Sequence, residues 1–65
     1  MNIKLNGQDK DFESPLTLDS LINKITDNPR VIAELNGHII TNSQWVETSL
    51  KDNDIIEIVA FVGGG

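Results

Sequence analysis

The chain opens with apolar and polar residues in strict alternation. In Asn2-Ile3-Lys4-Leu5 the apolar pair Ile3 and Leu5 shares one face and Lys4 takes the other, as in a half-buried strand. Asn6-Gly7 follows, a pair in which both residues accept positive φ, and this predicts a two-residue hairpin. That turn sets Lys4 opposite Asp9 and brings Phe12 to the face of Ile3. Ser14-Pro15 closes the return strand, because proline has no N–H to give a ladder. From Leu18 the period becomes helical. Leu18, Leu21, Ile22 and Ile25 recur at i, i+3, i+4 and i+7, with Thr17 as N-cap and Asp19 in the electropositive first turn. Asp27-Asn28-Pro29 stops this helix after about 2–3 turns.

Alternation resumes from Val31 to Ile40 around a second Asn-Gly pair, Asn36-Gly37. It places Val31, Ala33, Leu35 and Ile40 on one face and Ile32, Glu34 and Ile39 on the other. The stretch Thr41 to Leu50 sets Trp45 and Leu50 among polar residues, which predicts a short helical turn covering a core edge. A turn over Lys51–Asp54 leads into the most apolar strand of the chain. Glu57 there faces solvent, which turns Ile56, Ile58 and Ala60 inward and leaves Val59 and Phe61 outward. The order is hairpin, helix, hairpin, final strand. A right-handed crossover through the helix lets the first and last strands pair in parallel, with the most apolar strand at the centre. The expected fold class is α+β: a β-grasp roll with a mixed four- or five-stranded sheet and one helix packed on one face. Residues 1–62 form that domain, and 63–65 a flexible C-terminal glycine tail.

Composition sharpens this picture mainly by exclusion. At 65 residues the chain holds one small core, and without cysteine it has no disulfide, thiolate metal site or thiol nucleophile. Ten acidic residues against five scattered basic ones give a net charge of −5. That balance opposes nucleic acid and anionic membranes and favours steering onto basic patches of protein partners. The opening MNIKLNG is too short and polar for a signal peptide, and no apolar run reaches membrane-spanning length, so a cytoplasmic protein is expected.

Little in the sequence looks catalytic. His38, the single histidine, stands beside a hairpin turn with no partner for acid–base work and reads as a solvated residue. Asp52 and Asp54 flank Asn53 but lack the ligand spacing of a calcium loop. They read as turn residues, with Asn53 left-handed. Trp45 reads as core. Two features remain. Val59 and Phe61, joined by Ile32 and Ile39 if these come close, would form a partner-binding patch on the uncovered sheet face. Three of the five glycines close the chain at Gly63, Gly64 and Gly65. Three extended residues reach roughly 10 Å, and a thread without Cβ atoms fits a narrow channel. Its carboxylate is the one reactive group on offer. A nucleotide-binding partner could convert it to a mixed anhydride with AMP, which a sulfur or nitrogen nucleophile would then open.

The ending DNDIIEIVAFVGGG, with ELNGHII and SQW upstream, resembles the ThiS-type sulfur carriers of bacterial thiamine biosynthesis. The likeness extends over the opening MNIKLNG and the helix TLDSLINKI. Two departures stand out: Asn53 where a glycine is usual between the aspartates, and Thr41-Asn42 where a Pro-Arg pair is common. The resemblance implies a carried substrate and not an enzyme. Gly65 would be the modified residue, adenylated by a ThiF-type enzyme with Mg-ATP and converted by a sulfur donor protein to a thiocarboxylate. Gly63 and Gly64 would enter the active sites of that enzyme and of thiazole synthase (ThiG). The chain itself would bind no cofactor. Two other readings stay open: a ubiquitin-like carrier for molybdopterin or another sulfur-containing metabolite, or a protein modifier, and a non-catalytic interaction domain.

Overall fold

The computed structural model describes residues 1–60. Both Asn-Gly pairs make the turns their composition demands, with φ of 49° and 82° at Asn6 and Gly7, and 52° and 87° at Asn36 and Gly37. Asparagine tolerates that region better than other side-chain-bearing residues because its short amide bonds locally. The first turn joins β1 (Asn2–Leu5) to β2 (Gln8–Asp11), with Lys4 opposite Asp9. The second joins β3 (Val31–Leu35) to β4 (His38–Ile40).

Between the hairpins lies α1 (Leu18–Ile25). The Thr17 side chain caps it by accepting the Ser20 N–H at 3.2 Å, and Leu18, Leu21 and Ile22 are buried beneath it. A 3-10 helix over Asn42–Glu47 follows β4 and leads to β5 (Ile55–Ala60). The sheet order is β2-β1-β5-β3-β4, so the most apolar strand is central. β5 runs parallel to β1 and antiparallel to β3. This is the expected roll, with five strands and one α-helix on a single face.

The core fills the space between that face and α1. Ile3, Leu18, Leu21 and Ile56 are wholly buried there, with Ala33 beside them. Trp45 closes one side. Its ring is buried and its Nε1–H donates to the Ile40 carbonyl at 3.0 Å, so the polar end of the ring is satisfied as its apolar body packs. Phe12 packs against the rim, half-buried.

Two inward expectations need correction. Ala60 lies opposite Val31 but is exposed, and Ile25, on the apolar stripe of α1, is 40% exposed. The cause is length. A helix of eight residues spans about 12 Å, shorter than the six-residue β5, so among the described residues the helix-facing side of its last residues has no cover.

Asn36 is the turn residue with most at stake. Asn36→Ala forces a side chain without a local amide into the left-handed region and removes two side-chain hydrogen bonds. It should cost about 2–3 kcal/mol, or roughly 10–20 °C of Tm for a domain this small. Asn36→Gly keeps the turn and loses only the bonds, so it should cost less. Thermal melts of the two variants beside the parent check that order.

Candidate functional site

The strand that leads to the terminal glycines is fixed along both edges, partly by side chains acting as backbone. On the β3 side, the Asn36 N–H donates to the Ile55 carbonyl at 2.8 Å, and Asn36 Oδ1 accepts from the Ile55 N–H at 2.9 Å. On the β1 side, the Asn6 N–H donates to the Ile56 carbonyl at 2.9 Å. There β1 turns away into its hairpin. Asn6 Oδ1 then accepts from the Ile58 N–H at 2.8 Å, standing in for the carbonyl of the next strand residue. Each hairpin asparagine therefore takes the left-handed turn and also holds β5.

The loop before β5 is locked by the carboxylates that sequence alone assigned to a turn. Asp54 is buried at 9% exposure and accepts from the Lys51 N–H at 2.8 Å and from Asn36 Nδ2 at 3.0 Å. Asp52 Oδ1 accepts from the Asn2 N–H at 2.7 Å. Asn53 between them has a φ of 71°, and its N–H donates to the Asn2 carbonyl at 2.7 Å. These carboxylates are committed to backbone donors and, for Asp54, to the Asn36 amide. Among the described residues no group of three or more His, Cys, Asp or Glu could hold a metal ion. His38 is exposed in β4.

The face of the sheet opposite α1 is open. Ile32 and Val59 are direct cross-strand partners on it, 41% and 58% exposed. Ile39, 66% exposed, lies opposite Glu34, diagonal to Ile32. The three aliphatic residues named from sequence thus sit together across β4, β3 and β5. Ile55, half exposed and opposite Lys4, is a further apolar residue of this face. Sequence reasoning passed over it, although its position two residues before Glu57 marks it as outward. Between Ile55 and the Ile32–Val59 row, Glu34 and Glu57 face each other directly. Like charges so placed are destabilising in an isolated sheet. Phe61 and the glycines Gly63, Gly64 and Gly65 lie outside the described residues.

The model of the ThiS family matches residues 3–65. The sulfur carrier protein ThiS of Bacillus subtilis is 40% identical over 65 residues, covering 97% of this chain and 98% of that one. A thiazole synthase of Paramagnetospirillum magneticum is 33% identical over 66 residues. The whole of this chain is covered there, but it spans only 20% of that protein's length. Among solved structures, the crystal structure of thiamine biosynthesis protein ThiS from Geobacter metallireducens superposes with a TM-score of 0.85 and 30% identity over the full length of both chains.

The two faces of β5 should respond oppositely to substitution. Val59→Lys places a charge in solvent and should cost less than about 1 kcal/mol. Ile56→Ala opens a cavity at a wholly buried position and should cost about 2–5 kcal/mol. Urea titrations of both variants read the difference directly.

Proposed function

The chain belongs to the ThiS family, and from that premise we propose that it is a sulfur carrier of thiamine biosynthesis whose Gly65 carboxylate is the carrying group. The observation that carries this reading is the family match running to residue 65, in a chain whose described residues form a β-grasp fold. In the proposed cycle the Gly65 carboxylate attacks the α-phosphorus of Mg-ATP in a ThiF-type enzyme, forming an acyl adenylate and releasing pyrophosphate. Hydrosulfide released from a sulfur donor protein attacks the acyl carbon, the C–S bond forming as the bond to AMP breaks, and leaves a thiocarboxylate, which thiazole synthase (ThiG) draws on. A chain segment similar to this one occurs within a thiazole synthase, and that supports the last partnership.

The fold suits a carried substrate. Hydrogen bonds from both hairpin asparagines and pairing with β3 as far as Ala60 hold β5 in one direction. The acidic surface approaches a basic enzyme face at long range. At short range, the aliphatic face of Ile32, Ile39 and Val59 supplies buried area. A basic side chain from the enzyme would relieve the opposed Glu34 and Glu57. Within the carrier, the domain supplies recognition and the terminus supplies chemistry.

Gly65→Ala separates those contributions. The added methyl leaves the sheet face untouched but meets a channel fitted to glycine, beside the nucleotide. A misplacement of about 1 Å at the reacting carboxylate costs on the order of a hundredfold in rate. Pyrophosphate exchange with the ThiF-type enzyme should fall on that scale, while the affinity for the enzyme changes little. Intact-mass spectrometry of the parent after incubation with enzyme, ATP and a sulfur source should show one sulfur replacing one oxygen. Parent-like exchange by Gly65→Ala, or a parent chain that never gains sulfur, would overturn the reading.

A further inference from the structure

The edge of β5 that faces β1 is covered for only half its length. Paired register with β1 ends at Leu5 opposite Ile56, and the Asn6 side chain extends it by one bond to the Ile58 N–H. Successive strand residues point their backbone groups to alternate sides. Ile55 bonds toward β3, and Ile56 and Ile58 toward β1. The Ile58 carbonyl and the Ala60 N–H therefore face the β1 side, where no strand lies beyond Asn6 among the described residues. Beside this edge is an open groove of about 360 Å³ on the helix side of the sheet, with Leu5, Ile25, Val31, Ile58 and Ala60 among its walls. An unpaired stretch of strand edge and an apolar groove thus adjoin where β5 outruns α1.

We propose that this edge receives an extended segment of the thiazole synthase, which pairs with the Ile58 carbonyl and the Ala60 N–H and places an aliphatic side chain in the groove. The inference rests on the carrier reading. Five residues separate Ala60 from the chain end, and at roughly 3.3–3.6 Å each they reach less than about 18 Å. An enzyme that takes Gly65 into its active site must therefore close over the end of β5. Closing expels water from the Ala60 N–H and the Ile58 carbonyl, and a buried backbone group without a partner costs about as much as a lost hydrogen bond. Strand addition meets both needs at once, through main-chain bonds and a pocket for an alternate side chain. Two other occupants fit less well. A second copy brings another net charge of −5. The chain's own last residues would need a tight turn at Phe61-Val62, where hairpins call for Gly, Asn or Asp.

Amide exchange by NMR on the full-length chain, with and without the thiazole synthase of the same organism, tests this. The Ala60 amide should exchange rapidly in the free protein and at least tenfold more slowly in the complex. Ala60→Pro removes that donor at an edge position where proline is tolerated. It should melt within a few degrees of the parent yet bind the synthase roughly tenfold more weakly. Ile25→Lys, which fills the groove with a polar chain, should weaken binding similarly. Unchanged Ala60 exchange in a saturated complex overturns the proposal, whether or not Ala60→Pro folds. Protection of Ala60 in the free protein also overturns it. If that protection grows with protein concentration, a second copy is the occupant; if it disappears on deleting residues 61–65, the chain's own end is. The carrier reading fails separately: the parent then neither acquires sulfur nor binds the synthase. A parent that does both with an unprotected Ala60 amide loses only the added strand.

Discussion

Hydrogen bonding to β5 is the constraint on which the rest of this structure depends. A central strand needs partners for its backbone groups along both edges, yet β1 turns away just past Ile56, and β3 turns away opposite Ile55, at the start of β5. The two hairpin asparagines resolve this with their side chains: Asn36 Oδ1 meets the Ile55 N–H, and Asn6 Oδ1 meets the Ile58 N–H. The same residues supply the left-handed φ that lets β1 and β3 turn back at all. Turn geometry and strand anchoring are therefore coupled, and a substitution at either asparagine acts on both.

A second consequence follows from having one short helix. Among the described residues, only one of the two sheet faces is covered, and only over the part that eight helical residues can reach. The core under α1 holds the fold, while the uncovered face keeps Ile32, Ile39 and Val59 in solvent around an opposed pair of glutamates. A domain of this size has little stability to spare, so surface that the core leaves uncovered is available for recognition. The anchored part of β5 and the uncovered face meet at its last residues, where the chain passes toward its glycines.

Much of this was legible in the sequence. Period-two alternation gave the faces of β1, β3 and β5, and the Asn-Gly pairs fixed hairpin register, because a two-residue turn leaves no freedom in pairing. Thr17 marked the helix start, and Glu57 oriented the final strand by being the one charged residue within it. These are local signals, each carried by residues adjacent in the chain.

What the sequence could not determine depended on separations it does not encode. That Ala60 and Ile25 stay exposed follows from the length of α1 measured against that of β5, a comparison that only packing makes. Asp54 reads as a turn residue, but its burial against Asn36 depends on two loops 18 residues apart meeting in space. Asn6 reads as half of a turn, and its bond to Ile58 spans 52 residues. Alternation put Ile32 and Val59 outward, but only the pairing of β3 with β5 made them neighbours. Local pattern determined which way each side chain points, because backbone geometry repeats within an element; tertiary structure alone decided which of those side chains meet.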